Sequence, residues 1–277
     1  MISFCLSLGS VHRASLAVLG VAALLAACSS GEPRRASSTS FPYAGPTAKS
    51  DAKPHHGVAR ANSHQVHGID VSKWQGEIDW RAVKAAGTKF AFIKATEGGD
   101  HIDDRFLQNW NAAKAADVPR AAYHFVYWCR LASEQASWFK QNVPRDPDAL
   151  PPVLDLEWNS HSKTCPQRIG RELALEKIRL LLREMEAHTG KRPVIYTDIP
   201  FHRDVLQGEL RDYQFWLRSV AAEPHERYDS RQWVFWQWTT TGRVPGIRGN
   251  VDRNVFSGTD AQWRDWISQG NAQYARR

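Results

Sequence analysis

The sequence predicts an α/β fold: an irregular, TIM-like (β/α) barrel whose helices are reduced in the C-terminal third. Three observations carry this. From residue 67 onward, short apolar runs of the buried-strand kind alternate with segments of helical period, the texture of a parallel α/β architecture. About eight such strands fall within roughly 200 residues, which favours a closed barrel over an open sheet. No G-x-G-x-x-G or Walker-type loop occurs, so a nucleotide-binding fold is disfavoured.

The elements follow in order. Residues 67–72 read as a strand, and 79–86 as a helix with Asp79 at its N-cap. Residues 89–95 form an apolar strand. Residues 103–116 form a helix with Phe106, Leu107, Trp110 and Ala113 on its apolar side. A strand at 120–127 and a helix at 133–142 come next. Then a strand follows the Pro-rich turn, at 152–157. A long helix, 166–189, ends at Gly190. A strand at 192–197 precedes a helical turn after Pro200. Strands at 214–219 and 232–238 follow with little helix between them, and residues 250–254 occupy the final strand position.

Ahead of this region the chain reads differently. Arg13 precedes an apolar run, residues 14–27, too short for a comfortable membrane span and ending Leu25-Ala26-Ala27-Cys28. Small residues before a cysteine resemble a bacterial lipobox, so residues 1–27 are expected to be a signal peptide and Cys28 a lipidated anchor. Residues 28–66, rich in Ser, Pro, Ala and Gly, are expected to be a disordered linker before a domain at 67–277. His55, His56, His64 and His67 lack the spacing of a rigid metal site, and no metal or organic cofactor is expected.

The net charge of +7 is concentrated early. In the linker Arg34, Arg35, Lys49, Lys53 and Arg60 outweigh Glu32 and Asp51, leaving the domain mildly basic. No Lys/Arg cluster interleaves with aromatics, so nucleic acid is not expected as a partner. A basic tether suits an anionic membrane or wall.

Barrel enzymes carry their chemistry at the C-terminal ends of the strands. Four acids stand there: Asp70, Asp155, Glu157 and Asp252. Side chains alternate along a strand, so Asp155 and Glu157 share a face, roughly 7 Å apart, with Leu156 turned to the helices. Two carboxyls that close cannot both ionise cheaply, and one is driven to its protonated form. A general acid for glycosidic cleavage needs that proton. Taken alone, the Asp-x-Glu pattern also fits a metal site or a structural pair. Trp74, Tyr123, Trp158, Tyr196, Trp216 and Trp236 lie near strand ends, where rings can stack on sugars or serve as core. His124 reads as a hydrogen-bonded structural residue within a strand.

Several ordered blocks resemble the glycoside hydrolase family 25 muramidases, the Chalaropsis-type lysozymes. They are HGIDVSKWQG from residue 67, FAFIKATEG from 90, AAYHF from 121, PPVLDLEW from 151, RPVIYTD from 192, and VFWQWTTTGRVPGIRGNVDRNVF from 234. The resemblance covers about residues 67–267. It implies an irregular barrel that hydrolyses the β-1,4 bond between N-acetylmuramic acid and N-acetylglucosamine. It further implies Glu157 as general acid and Asp155 as support for an attacking acetamido group, a known departure from the two-carboxylate scheme. Asp70 and Asp252 match the family's other acidic positions at the cleft floor, and Tyr123 and Tyr196 its aromatic positions near the scissile sugar. Arg218 and Val220 depart from the family, which usually has a small residue and often a Tyr there. This departure implies an altered subsite or contact to the peptide stem.

The alternatives are a peptidoglycan-binding lipoprotein that does not cut, or a chitinase-like glycosidase. The latter would need Asp at the positions of Leu150 and Val153. In a barrel, Cys129 and Cys165 follow neighbouring strands and are expected to form a disulfide. The remaining expectations are a monomer, exported and bound to peptidoglycan. Ser29 after Cys28 is not the Asp that retains many Gram-negative lipoproteins in the inner membrane. An outer-membrane anchor facing the periplasm is therefore expected if the host is Gram-negative.

Overall fold

A computed structural model of the chain describes residues 55–269. Its strands are β1 (His67–Val71), β2 (Phe90–Glu97), β3 (His101–Ile102), β4 (Arg120–Phe125), β5 (Val153–Leu156), β6 (Val194–Thr197), β7 (Gln214–Arg218), β8 (Phe235–Gly242) and β9 (Val251–Phe256). Its α-helices are α1 (Trp80–Ala85), α2 (Phe106–Ala115), α3 (Ala132–Asn142), α4 (Arg171–Thr189), the single turn α5 (Ile199–Phe201) and α6 (Asp260–Gln269). The strand order is β1-β9-β8-β7-β6-β5-β4-β2-β3, and a parallel β1–β2 pairing closes the barrel. The short β3 is appended to β2 as an antiparallel hairpin.

The barrel is not wholly parallel. β9 runs antiparallel to both β8 and β1, the one antiparallel strand of the eight that close the irregular barrel. The cause is chain length. Only residues 243–250 join β8 to β9, too few for the crossover that a parallel pair requires. Helices do thin out in the last third. β7 and β8 are joined by a segment whose one helical piece is the 3-10 turn Pro224–Glu226.

Strand alternation divides the core into two layers. Phe90, Phe92, Ala121, Val153, Val194, Tyr196 and Trp216 fill the barrel interior. Ile69, Ile93, Ala122, Leu154, Leu156, Ile195 and Leu217 face outward into the helical layer. Gly68 permits the interior packing, because a Cβ there would meet the Phe90 ring at 2.4 Å. Helix α4 contributes Ala174, Leu175, Ile178, Leu181, Leu182 and Met185, all buried and spaced as one face of a 3.6-residue period. Each such Leu or Ile, fully buried, stabilises by about 1.5–3 kcal/mol. The helix stops at Gly190, whose φ of 72° is the left-handed cap that glycine adopts without penalty. It starts at Arg171, not at 166.

Helix α6 was not anticipated. Its Trp263 and Trp266 stack with centroids 5.4 Å apart and pack on Phe90, Phe235 and Phe256, sealing the end of the barrel opposite the strand C-termini. The other departures are smaller. Leu107 is half exposed rather than packed. The linker was expected to reach residue 66, yet the 3-10 helix His56–Ser63 lays Val58 and Ala61 against Trp236, Trp238 and Val255. Among the described residues, the cluster on this face of β8 and β9 includes no residue of an α-helix. The expected signal peptide, Cys28 and the linker up to residue 54 lie outside the described residues.

Candidate active site

At the C-terminal end of the parallel strands, a cavity of about 350 Å³ opens. Its lining includes Asp70, Tyr123, Asp155, Glu157, Tyr196 and Asp252. Strand alternation places them. Val153 points into the barrel, so Asp155 does too, and Glu157 continues that face one residue beyond β5. Trp216 lies on the floor, its ring against Phe92 and Tyr196. Trp74, 82% exposed, stands on the rim in the 3-10 turn after β1.

Two of the expected aromatics are elsewhere. Trp158 follows Glu157 by one residue and therefore faces outward. It packs on Trp128 and Phe201 and donates its indole N–H to Asp204 at 2.9 Å. Trp236 precedes Gln237 by one and points out of the barrel, buried beneath the N-terminal 3-10 helix, with its N–H donated to the Ser219 carbonyl at 2.8 Å. Both correct the expectation of substrate-stacking rings. His124 is buried between Thr96 and Gln135, bonded at 2.8 and 3.2 Å, and burial holds it neutral with a pKa of about 4.

The floor is a polar network. Asp70 accepts from Asn254 Nδ2 at 2.8 Å and from Gln237 Nε2 at 2.9 Å. Gln237 Nε2 also reaches Asp252 at 3.1 Å, and its Oε1 accepts from the Tyr196 hydroxyl at 3.0 Å. The Trp216 N–H donates to Asn254 Oδ1 at 2.7 Å. Lys94 projects from β2 into the same space, paired with Glu97, which in turn accepts from the Tyr127 hydroxyl.

Burial dominates the electrostatics. It lifts Glu157 to a pKa of about 7, aided by the negative charge of Asp198 and opposed by Arg218. Burial also raises Asp155, followed by repulsion from Glu157, with Lys94 pulling the other way. Asp70 is pushed up to about 6 by burial, against its hydrogen bonds from Asn254 and Gln237. Asp252 is raised by burial and by the charge of Asp70. The site thus holds carboxyls that retain protons near neutrality, with Lys94 and Arg218 as opposing cations. Among the described residues, no group of three or more His, Cys, Asp or Glu side chains is arranged to hold a metal ion.

Sequence reasoning missed Lys94, Gln237, Asn254 and Asp198 as parts of the site and noted Arg218 only as a departure from the family pattern. Each stands two positions from a residue that faces the barrel interior: Phe92, Phe235, Asp252, Tyr196 and Trp216. The signal was the strand period itself.

Cys129 and Cys165 are joined in a disulfide, Cα–Cα 5.6 Å, linking the loops after β4 and β5 beside the cleft.

Comparisons with known proteins agree with this architecture. The family model for glycosyl hydrolases family 25 matches residues 69–247. Lysozyme M1 of Streptomyces globisporus is 37% identical over 218 residues, covering 74% of this chain and 72% of that protein. The Escherichia coli K12 protein YegX is 36% identical over 202 residues, covering 71% of each. The structure of a family 25 glycosyl hydrolase from Bacillus anthracis superimposes with a TM-score of 0.69 at 33% identity, covering 77% of this chain and 97% of that one. The chain belongs to glycosyl hydrolase family 25.

Proposed function

We propose that this protein is a muramidase that hydrolyses the β-1,4 bond between N-acetylmuramic acid and N-acetylglucosamine in peptidoglycan. The observation that carries the reading is the pair Asp155 and Glu157 on one face of the cleft. Asp155 Oδ1 is buried and has no hydrogen-bond partner among the described residues.

In this scheme Glu157 is the general acid. It gives its proton to the glycosidic oxygen as the bond to C1 breaks. The substrate's acetamido oxygen attacks C1 and forms a cyclic cation. Asp155 accepts the acetamido N–H and, in its charged form, balances the positive charge, with Lys94 opposing the burial and the Glu157 charge that raise it. Water then opens the ring, and the Glu157 carboxylate takes its proton. Configuration at C1 is retained. Asp70 and Asp252, held by Gln237 and Asn254, set the floor. Tyr123, Tyr196 and Trp216 shape it. Trp74 offers its exposed ring to a sugar face, between the cleft and an adjoining groove lined by Gly76, Ile78, Gly246 and Arg248.

A chitinase-like reading is not favoured, because Leu150 and Val153 are buried apolar residues packed in the barrel interior. The disulfide suits an oxidising compartment, hence export. Lipidation of Cys28 would tether a monomeric enzyme to a membrane, the outer one facing the periplasm in a Gram-negative host. Mass spectrometry of the N-terminal peptide tests that anchor.

The central test is mass analysis of muropeptides released from purified peptidoglycan. New reducing ends from the wild type and a drop of about 10²-fold or more in Glu157→Gln are expected. Anhydro-sugars would assign a lytic transglycosylase instead. Tight sedimentation with cell wall but no product at any pH would assign a binding protein.

A further inference from the structure

In the β5–β6 ladder Leu156 pairs with Thr197, and in the β6–β7 ladder Thr197 pairs with Leu217. The residues that follow, Glu157, Asp198 and Arg218, therefore stand side by side along the rim of the barrel. Each is two positions beyond a side chain that lines the cavity: Asp155, Tyr196 and Trp216. One oxygen of Asp198 is already committed, since Oδ1 accepts the Phe201 N–H at 2.9 Å and caps α5. That bond fixes the carboxyl beside Glu157 on the rim, where its negative charge acts on Glu157. Arg218, whose carbonyl is anchored by the Tyr228 hydroxyl, places its charge near Asp198, Glu157 and Asp252.

We propose that Asp198 is a positioning residue for Glu157: its carboxylate, held by the Phe201 N–H next to Glu157 on the rim, sets the charge against which Glu157 gives and regains its proton, and Arg218, next along the rim, keeps Asp198 charged. The arrangement serves both halves of the reaction. Before cleavage, the charge of Asp198 keeps the proton on Glu157 for transfer to the glycosidic oxygen. After the proton has gone to the leaving oxygen, Glu157 is an anion beside an anion, which makes it the stronger base toward water. Arg218 bounds that repulsion, so that Glu157 still releases its proton near neutrality.

The other groups facing Glu157 are Asp155 on β5, Tyr196 on β6, Tyr228 after β7, Asp252 on β9 and Asp70 on β1. Lys94 on β2 pairs with Glu97 and lowers Asp155. Among these charges, Asp198 is the first to raise Glu157 and Arg218 the first to lower it.

The role of Asp198 in turnover rests on the muramidase reading, so the test has a readout that needs no turnover. The Glu157 carboxyl is followed by carbon-13 NMR through a pH titration, beside the pH–rate profile on peptidoglycan. Asp198→Asn keeps the helix cap and removes the charge. Its Glu157 titration and the alkaline limb of its activity are expected to move down by about one pH unit, with the melting temperature unchanged. Arg218→Gln is expected to move both up, and Arg218→Lys to restore them. Opposite shifts in the two variants support the proposal. Unmoved titrations, or shifts of the same sign, overturn it, even if the enzyme is active. Shifts of the expected sign without any product would instead overturn the muramidase reading and leave the rim triad standing.

Discussion

Asp70 and Asp252 are direct partners in the antiparallel β1–β9 ladder, and a single amide, Gln237 Nε2, donates to both. Like charges opposite one another weaken a sheet, and here both are also withdrawn from water. The result is proton retention. Asp70 rises to about 6 and Glu157 to about 7, while Asp155, Asp198 and Asp252 are raised as well. The folded state therefore holds protons that the unfolded chain releases near pH 4.

The contribution of Asp70 and Glu157 to stability should therefore fall as pH rises from about 4 to about 7, because the native state keeps their protons across that window, while His67, His124 and His202, held neutral by burial with values of about 4, contribute in the opposite sense. Below it both states are protonated, and above it the cost is complete. For Glu157 the change from 4.5 to about 7 corresponds to a cost of up to about 3 kcal/mol at alkaline pH. Asp252→Asn removes one of the raised carboxyls, so its urea midpoint relative to the wild type is expected to be higher at pH 8 than at pH 5. A variant whose advantage is the same at both pH values, or larger at pH 5, would contradict this account.

Asn254 ties the floor to the aromatic layer. It accepts from the Trp216 indole and donates to Asp70, and it is fully buried. Asn254→Ala would leave both groups without that partner. A loss of about 2–3 kcal/mol in unfolding free energy is expected. The Trp216 indole N–H proton should also exchange faster with solvent. An unchanged exchange rate would show that the bond carries no weight.

Trp74 separates binding from stability. At 82% exposure its removal creates no cavity. Trp74→Ala should shift the melting free energy by less than about 0.5 kcal/mol. KM for long glycan strands should rise about tenfold, from the loss of one stacking platform. Kinetics on glycans of graded length would check it. An equal loss on the shortest cleaved glycan would place Trp74 at the scissile bond instead of in the flanking groove.

Much of this site was legible, and parity explains what was not. Asp70, Asp155, Glu157, Asp252, Tyr123, Tyr196 and Trp216 reach the cleft because they share the interior parity of their strands. Trp158 and Trp236 were chosen for their chemistry and position near strand ends, but each is one residue out of step with its neighbour in the site. Helix α6 had a visible signal in Thr259 and Gln262, whose side chains exchange hydrogen bonds with each other's backbone N–H as a capping box. The reversal of β9 could be read from the short connection before it. The contribution of 56–63 was harder to read. A Ser/Pro/Gly-rich stretch hides the two small apolar residues, Val58 and Ala61, that dock on β8 and β9.

The disulfide offers the last test of how the cleft is held. Cys165 is fully buried, while Cys129 lies at the surface, and the bond closes a span of 36 residues that contains β5, Asp155 and Glu157. Closing a loop of that length removes unfolded-state entropy worth about 3–4 kcal/mol, if the native geometry is unstrained. The Cys129→Ser, Cys165→Ser double variant should lose about that much stability at any pH, with the Glu157 titration in place. Its effect on turnover should be modest, because β5 is still held by β4 and β6 on either side. A variant of full stability would mean that the unfolded chain is already compact across this span. One that keeps its fold but loses activity would show that the bridge sets the position of Glu157, whose carbonyl accepts the Trp128 indole N–H at 2.7 Å just before Cys129.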